Sequence, residues 1–362
     1  MTEIRQFEAK KTDLAETRWV TRALGDVAEG GVRLRVDVVS FTANNITYGL
    51  TGDRFGYWQY FPASEDGWGI IPVWGYAEVV ESRCDGIDVG ERFYGYYPMA
   101  PLLDVAPTKV SPRGFMDGAA HRDGLPAVYN DYLRASADPS HASEKEPFRS
   151  LIFPLAATAY GLADWLAEGD FHGAAVVGLI SASSKTALGT ASLLKDRKGA
   201  RRVVGLTSAA NGDIIKPMGL YDDVVSYDDM ASLDAAVPHV LIDFAGRGDV
   251  TAALHQHLGE NMRHTALVGA SHGAKLGMAD GMIKERSELF FMPGYAAQRI
   301  KETGGQFVKD MTLAAAQIAD QSPNWLTLTE AAGEADISDL YHTVREGRVR
   351  PDQGGIMYFN NG

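Results

Sequence analysis

At 362 residues the chain exceeds one compact core of ordinary size, and two domains are expected. A make-up of 45% hydrophobic and 22% charged residues is that of a globular protein and excludes a disordered chain. The formal charge of −13 leaves no basic excess to displace counterions from phosphates, which disfavours non-specific nucleic-acid binding. No nucleic-acid partner is expected, while a local basic pocket for a cofactor phosphate stays open.

Cys84 is the sole cysteine, which excludes an intramolecular disulfide and any multi-cysteine zinc site. Near a strand end, it reads as a small buried hydrophobe. The N-terminal "MTEIRQFEAKKTDLAE" lacks the apolar core of a signal peptide, and no window reads as a membrane span of ~18 apolar residues. A soluble cytoplasmic protein with no membrane partner is the expectation.

The first part of the chain reads as β-rich. "GVRLRVDVVSF" alternates apolar and charged residues at the period of a half-buried strand, and "WGYAEVVESR" and "GERFYGYYPM" repeat the pattern around the turn "CDGIDVG". The aromatic-rich "TGDRFGYWQYFPASEDGWG" lies between them as a loop that either lines a pocket or caps a barrel end. Residues 100–147 read as mostly irregular, with "ADPSHASEKEP" as a linker.

From about Phe148 helices and strands alternate. "LIFPLAATAYGLADWLAE" is helical, "AAVVGLI" a buried strand and "KTALGTASLLKD" a helix. "RRVVGLTS", "YDDVVSY", "HVLIDFAG" and "HTALVGAS" supply four more strands, with "ELFFMPGYA" a candidate sixth. Near-continuous Val/Ile/Leu runs between helices predict a parallel sheet covered on both faces. "RIKETGGQFVKDMTLAAAQIADQ" continues as helix. "EADISDLYHTVREGRVR" is an amphipathic helix, and "GGIMYF" is a last strand whose natural host is the β-rich first part.

The turn "SASSKT" between the first of these buried strands and its helix sets the functional question. A P-loop is excluded, because Leu179 and Ser184 stand where its two glycines are required. A dinucleotide turn fits the strand–turn–helix context, in which free N–H groups and the helix dipole hold phosphate. Ser183, Ser184 and Thr186 add hydroxyls and Lys185 adds charge, while side chains in place of glycine limit how closely a pyrophosphate can approach. The competing reading is a strand-to-helix corner with serine as N-cap. At the tip of the next strand, where an acid ~20 residues on holds the NAD ribose, the chain offers Thr207 and Ser208. Small hydroxyls there suit a 2′-phosphate and favour NADP(H), with Lys216 or Arg299 as candidate partners for its charge.

With these segments in order, the chain resembles the medium-chain dehydrogenase/reductase superfamily, in its zinc-free, quinone-reductase-like branch. The similarity covers nearly the whole chain. "VRLRVDVVSFTANNITY" looks like the family's first strand and active-site segment, "PVWGYAEVVE" with "VGERFYG" like its barrel strands, and "VYNDYLRAS" like its "AEY" strand. "LAATAYGLADWLAEGDFHGAAVVGLISASSKTALGTASLLK" looks like its helix, strand and glycine turn. "VLIDFAGRG" and "TALVGAS" resemble its later Rossmann strands.

The resemblance implies an α/β protein with a GroES-like catalytic domain, residues 1–147 and 310–362, and a Rossmann domain, residues 148–309. The departures are specific. The family's "GGVG" falls on Ser183, Ser184, Lys185 and Thr186. The zinc-ligand positions of the alcohol dehydrogenase branch fall near Thr42 and Trp74, neither suited to zinc, so no metal is expected. The segment 108–126 is longer than the family's usual loop.

The implied activity is NADPH-dependent hydride transfer to an enone, quinone or similar small molecule, apolar or aromatic to judge by the stretch Phe55–Trp68. The alternative is non-redox chemistry, of lyase or hydrolase type, on a reductase scaffold. Asn44, Asn45 and Tyr48 in "TANNITY" are the candidate catalytic residues: the phenol would donate to a carbonyl oxygen and the amides orient it. The competing reading has the asparagines pin a loop through backbone hydrogen bonds. Cofactor contacts are expected from Ser183, Ser184, Lys185, Thr186, Thr207 and Ser208, from Gly246 and Gly269 at tight turns, and from His272 after the fifth strand. Asn130 and Asp131 are further candidates, whereas His121 and Arg122 read as solvated loop. His255 and His257, two apart on a helix, point to different faces and make poor metal ligands. A homodimer through "ELFFM" follows the family's habit.

Overall fold

The computed structural model describes residues 2–197, 199, 201–244, 246–268 and 279–359. The chain divides into two compact units. The first is Met1–Leu151, Thr327–Val349 and Gln353–Gly362; the second is Ile152–Leu326 with Arg350–Asp352.

The first unit is built on β1 (Thr2–Lys10), β2 (Asp13–Leu24), β3 (Val32–Phe41), β4 (Trp68–Gly69), β5 (Val73–Ser82) and β6 (Arg92–Tyr97). It continues with β7 (Leu102–Val105), β8 (Pro107–Ser111), β9 (Gly114–Asp117) and β10 (Asp131–Arg134). The helices α1 (Ala43–Leu50) and α2 (Gly52–Phe55) follow β3 directly. Strands β2, β1 and β4 form a small sheet. The larger nine-stranded sheet also includes β17 (Thr327–Ala332) and β18 (Gln353–Tyr358), in the order β17-β18-β3-β5-β6-β10-β9-β8, with β7 paired to β3. This is the mixed sheet of a GroES-like domain.

Residues 100–147, expected to be irregular, therefore contribute four strands. The segment 108–126 forms most of the β8–β9 hairpin and extends the sheet rather than leaving it. The last strand finds its host as expected: β18 runs antiparallel to β3, Gly355 facing Phe41. The helix α9 (Gly333–Arg345) buries Ile337, Leu340, Tyr341 and Val344, and the Tyr341 hydroxyl donates to the carbonyl of Leu14.

Helix α3 (Glu146–Glu168) opens the passage into the second unit. Contrary to the sequence expectation, it is long and apolar enough to cross a membrane by length and composition, the one such helix among the described residues; most of its apolar window is buried inside the protein. The second unit carries β11 (Val176–Ile180), β12 (Arg202–Thr207), β13 (Asp223–Ser226), β14 (His239–Asp243), β15 (Met262–Leu267) and β16 (Ser287–Leu289). They form one parallel sheet in the order β13-β12-β11-β14-β15-β16. Counted from β11 that order is 3-2-1-4-5-6, the doubly wound Rossmann arrangement. Strands β11 and β14 are buried at every residue, as apolar runs covered on both faces require.

The connecting helices are α4 (Lys185–Arg197), α5 (Ala209–Ile215) and α6 (Gly248–Leu258), followed by α7 (Met292–Thr303) and α8 (Gln306–Gln321). The sequence read α7 and α8 as one helix, but Gly304 and Gly305 divide them. Residues 310–326 belong to the second unit and not, as expected, to the first. The reason is packing: α8 buries Ala314, Ala315, Ile318 and Ala319, and Gln321 accepts a hydrogen bond from Ser192 on α4.

Candidate active site

In the first unit, α1 begins at a capping box. The Thr42 hydroxyl accepts from the amide of Asn44, and the Thr42 amide donates to Asn45 Oδ1 at 2.8 Å. Asn45 also donates through Nδ2 to the carbonyl of Pro72 at 2.9 Å. Both ends of its amide are engaged in holding the helix start to the chain before β5. Asn45 therefore fulfils the loop-pinning reading, and the expectation of a catalytic amide there is corrected.

Asn44 and Tyr48 are different. They are one helical turn apart on the same face, and Asn44 Nδ2 donates to the Tyr48 hydroxyl at 2.8 Å. A second donor comes from β5. The pairing of β3 with β5 sets Trp74 opposite Ser40, just before α1, and the indole Nε1 donates to the same hydroxyl at 3.1 Å. Burial pushes the Tyr48 phenol well above its usual range, and the hydrogen bonds from Trp74 and Asn44 pull against that shift. The group is a neutral hydroxyl at ordinary pH.

Around it lies a cluster of rings. Tyr48 meets Tyr57 at 4.6 Å and Tyr96 at 5.8 Å between centroids, and Trp74 stacks on Tyr94 at 5.6 Å and lies 4.8 Å from Tyr96. Tyr129 lies 4.9 Å from Tyr96, and its hydroxyl is 3.1 Å from that of Tyr57. The Tyr96 hydroxyl is buried with no hydrogen-bond partner among the described residues. Within the aromatic-rich stretch, Trp58 lies between Gly52 and Gly69, where a β-carbon would come within 2.2 Å and 2.4 Å of its indole. This part of the stretch is packed core, while Tyr57 and Tyr60 belong to the ring cluster.

Arg122, expected in a solvated loop, is almost fully buried. Its Nε lies 3.1 Å from Asp117 Oδ2, close but not aligned as a hydrogen bond, and its guanidinium covers the Phe61 ring at 4.8 Å. Asn130 accepts from this arginine and is committed to it. Asp131 is half-buried, and burial raises its carboxyl. His121 is exposed and contacts the Tyr60 carbonyl. Cys84 is half-exposed in the turn after β5, so the expectation of a buried thiol is also corrected.

In the second unit, Ser181 takes a left-handed backbone with φ of 62°, and its amide donates to the Tyr227 hydroxyl. Ser184 caps α4: its Oγ accepts from the Ala187 amide and its carbonyl from the Leu188 amide. Ser208 caps α5 in the same manner, through the Asn211 amide. Ser183 has another role. Its Oγ accepts from Thr207 Oγ1 at 3.2 Å and from Asn211 Nδ2 at 3.1 Å, tying the turn to the tip of β12. The backbone amides of Ser183, Lys185 and Thr186 have no acceptor among the described residues.

Desolvation lowers the Lys185 amine to about 8, with Asp352 pulling it the other way. Gly246 turns at φ of 67° and donates to Asp243 Oδ1, as a tight turn at the sheet edge requires. Gly269 and His272 lie outside the described residues. Arg299 pairs with Asp164, Glu168 and Glu302 and is committed there. Lys216 follows the far end of α5 from its Ser208 cap. Neither fits the role foreseen for a 2′-phosphate. His255 accepts from the Ile283 amide and donates to Thr265, which leaves no ligand atom. No group of three or more His, Cys, Asp or Glu that could hold a metal is found among the described residues.

Sequence reasoning missed Trp74, Tyr96, Tyr129 and Asn211. Trp74 had a signal, since the resemblance placed it and Thr42 at positions where relatives carry ligands. The other three are distant in sequence from the groups they meet: Tyr96 lies on β6, Tyr129 in the turn before β10 and Asn211 on α5, and only the folded chain brings them in.

Solved structures share this fold over nearly the full length of the chain. CurA from Vibrio vulnificus in complex with NADPH is 14% identical with a TM-score of 0.64, covering 99% of this chain and 100% of that one. A mutant enoyl thioester reductase from Candida tropicalis is 10% identical with a TM-score of 0.60, over 99% and 100%. The quinone oxidoreductase from Coxiella burnetii is 12% identical with a TM-score of 0.58, over 99% and 100%. At identities this low, the likeness, with TM-scores of 0.58–0.64, shows the fold alone. No curated protein matches the sequence. Residues 39–350 match the family described as "Protein of unknown function (DUF2855)", and the chain belongs to that family.

Proposed function

We propose that this protein is an NADPH-dependent reductase of an activated alkene or carbonyl compound. The observation that carries the reading is the Tyr48 hydroxyl, which accepts from Asn44 and Trp74 and has its own proton left to donate. The fold of NADPH-complexed CurA, an enoyl thioester reductase and a quinone oxidoreductase adds support.

The cofactor fit rests on the turn before α4. Ser183 has both acceptor positions filled by Thr207 and Asn211, so its proton is a donor, and the amides of Ser183, Lys185 and Thr186 add three more. These groups suit a phosphate through hydroxyl and amide donors, where glycine turns offer bare backbone. Ser208 at the tip of β12, with no acid beside it, favours a 2′-phosphate over a free ribose hydroxyl. The chemistry that a bound NADPH would supply here is a hydride for the substrate's electron-poor carbon. Tyr48 hydrogen-bonds the substrate carbonyl oxygen, draws charge toward it, and gives its proton to the oxygen as negative charge develops. Water then restores the Tyr48 proton. The substrate gains one hydride and one proton.

A non-redox enzyme on the same scaffold is the second reading, favoured by the turn without glycine and by the Lys185 amine lowered to about 8. Thermal shift with NADPH and NADH, followed by oxidation of NADPH across 2-cyclohexenone, 1,4-naphthoquinone and an aldehyde, decides between them. Stabilisation by NADPH above NADH, with turnover of one probe, is expected. No stabilisation by either cofactor at millimolar concentration would overturn the reductase reading.

A further inference from the structure

We infer that Trp74, acting with Asn44, is a positioning residue that makes the Tyr48 hydroxyl an obligate donor. The inference deepens the function proposed above and rests on Tyr48 as the proton source. A phenol oxygen has one proton and two lone pairs. Asn44 Nδ2 at 2.8 Å and Trp74 Nε1 at 3.1 Å occupy the acceptor side, and the Tyr48 proton meets no acceptor among the described residues.

Trp74 is the fixed half of the arrangement. An amide presents a donor at one end and an acceptor at the other, so Asn44 alone would allow Tyr48 to donate back to it. An indole has no acceptor. With the Trp74 N–H on one lone pair, Tyr48 must accept there, and its proton turns elsewhere. The indole is itself held firmly. Its backbone is paired to β3 opposite Ser40, and its ring stacks on Tyr94 and packs against Tyr96.

The same two N–H groups also answer the change in charge when Tyr48 gives up its proton. They become charge-assisted donors to the phenolate oxygen, stronger than they are to the neutral phenol. Their effect on acidity opposes that of burial, which otherwise holds this phenol well above its usual range. Trp74 thus sets the direction of the proton and stabilises the oxygen it leaves.

The test replaces Tyr48 by 3,5-difluorotyrosine in the full-length chain, which brings the phenol into an accessible range and gives one residue its own ¹⁹F signal. Its titration is followed in the parent, in Trp74→Phe, and in Asn44→Leu. Trp74→Phe keeps a ring for Tyr94 and Tyr96 to pack on, and should raise the midpoint by about 1–2 units, the loss of one hydrogen bond to a charged oxygen. Asn44→Leu should raise it also, and carries the test if Trp74→Phe fails to fold. Midpoints unchanged in folded variants overturn the inference. The titration uses neither cofactor nor substrate. An inactive protein with shifted midpoints would sink the reductase reading alone, whereas an active one with no shift would sink the role given to Trp74.

Discussion

The hydroxyl of Tyr48 in the first unit and that of Ser183 in the second each accept from two donors and keep one proton to give. Their surroundings are opposite. Tyr48 is buried among tyrosine and tryptophan rings, where low polarity strengthens each hydrogen bond and suppresses ionisation. Ser183 is half-exposed beside Lys185 and backbone amides that have no acceptor among the described residues. The comparison teaches that one hydrogen-bond pattern serves two kinds of charge. A donor among rings is suited to charge that develops during a reaction, and a donor among amides and an amine to charge that a ligand already carries.

Removing the first donor should give the largest effect. Tyr48→Phe keeps the ring and its packing but takes away the proton, and should lower kcat by about 10²–10⁴-fold while NADPH affinity stays as in the parent. Steady-state kinetics with the active probe, beside NADPH titration, checks both halves. A kcat within threefold of the parent (roughly 0.6 kcal/mol) would mean that the ring cluster is only a packed core.

Beside the cluster lies a buried ion pair, Arg122 with Asp117, which gives the next effect. Arg122→Met leaves Asp117 uncompensated at almost no exposure and should cost about 3–5 kcal/mol of unfolding free energy, measured in urea. Arg122→Met with Asp117→Asn, which removes the stranded charge and keeps an acceptor for the Ala106 and Ala119 amides, should recover much of that loss. Recovery would show that the loss comes from the stranded charge and not from the packing of Arg122 over the Tyr60, Phe61 and Tyr132 rings.

His255 supplies a control in the second unit, because its hydrogen bonds are complete. Burial lowers its imidazole to about 4, from about 6.5 when unfolded. A depressed pKa means that the unfolded state takes up the proton first. The contribution is whole above pH 6.5 and is lost as pH falls toward 4, approaching about 3 kcal/mol over the 2.5-unit interval. Unfolding in urea at pH 7 and pH 4.5 should show a smaller acid loss in His255→Gln than in the parent; equal losses would remove the control.

Much of this was legible in the sequence for a physical reason. Parallel strands buried on both faces leave continuous apolar runs, so the Rossmann strands were readable from "VVGLI" and "VLID". The short strands β7 to β10 carry polar and turn residues, and pairing, not composition, makes them a sheet. At the site, Tyr48 and Asn44 were legible because they are four residues apart on one helix. Asn45 was misread, since a capping box and an active-site amide use the same residue type. Arg122 was misread because a charged residue beside Gly and Asp looks solvated until its partner Asp117 is located.

Ser183→Ala tests the second donor. It removes the hydroxyl that Thr207 and Asn211 direct, and should weaken NADPH by about tenfold, the smaller end of a hydrogen bond to a charged group. Binding should also weaken as pH rises through about 8, where Lys185 loses its charge, and Lys185→Ala should flatten that part of the profile. Isothermal titration from pH 7 to pH 9 measures both. Unchanged affinity in Ser183→Ala would show that its bonds to Thr207 and Asn211 serve only to close the turn.

The smallest effect separates the two serines that replace glycine. Ser184 directs its oxygen to the Ala187 amide, so Ser184→Ala should lower stability by about 1 kcal/mol, while Ser184→Gly should lower it by only about a few tenths. Neither should weaken NADPH, because a hydroxyl that caps the helix is not the one assigned to phosphate. Ser184→Gly goes further, since it also removes the β-carbon at a position where the resemblance to medium-chain reductases sets a glycine. If that β-carbon limits the approach of a pyrophosphate, the glycine variant binds NADPH more tightly than Ser184→Ala does. Equal affinities would place the whole phosphate grip on Ser183, Lys185 and the free amides, and the helix cap and the phosphate site would then be separate structures within one turn.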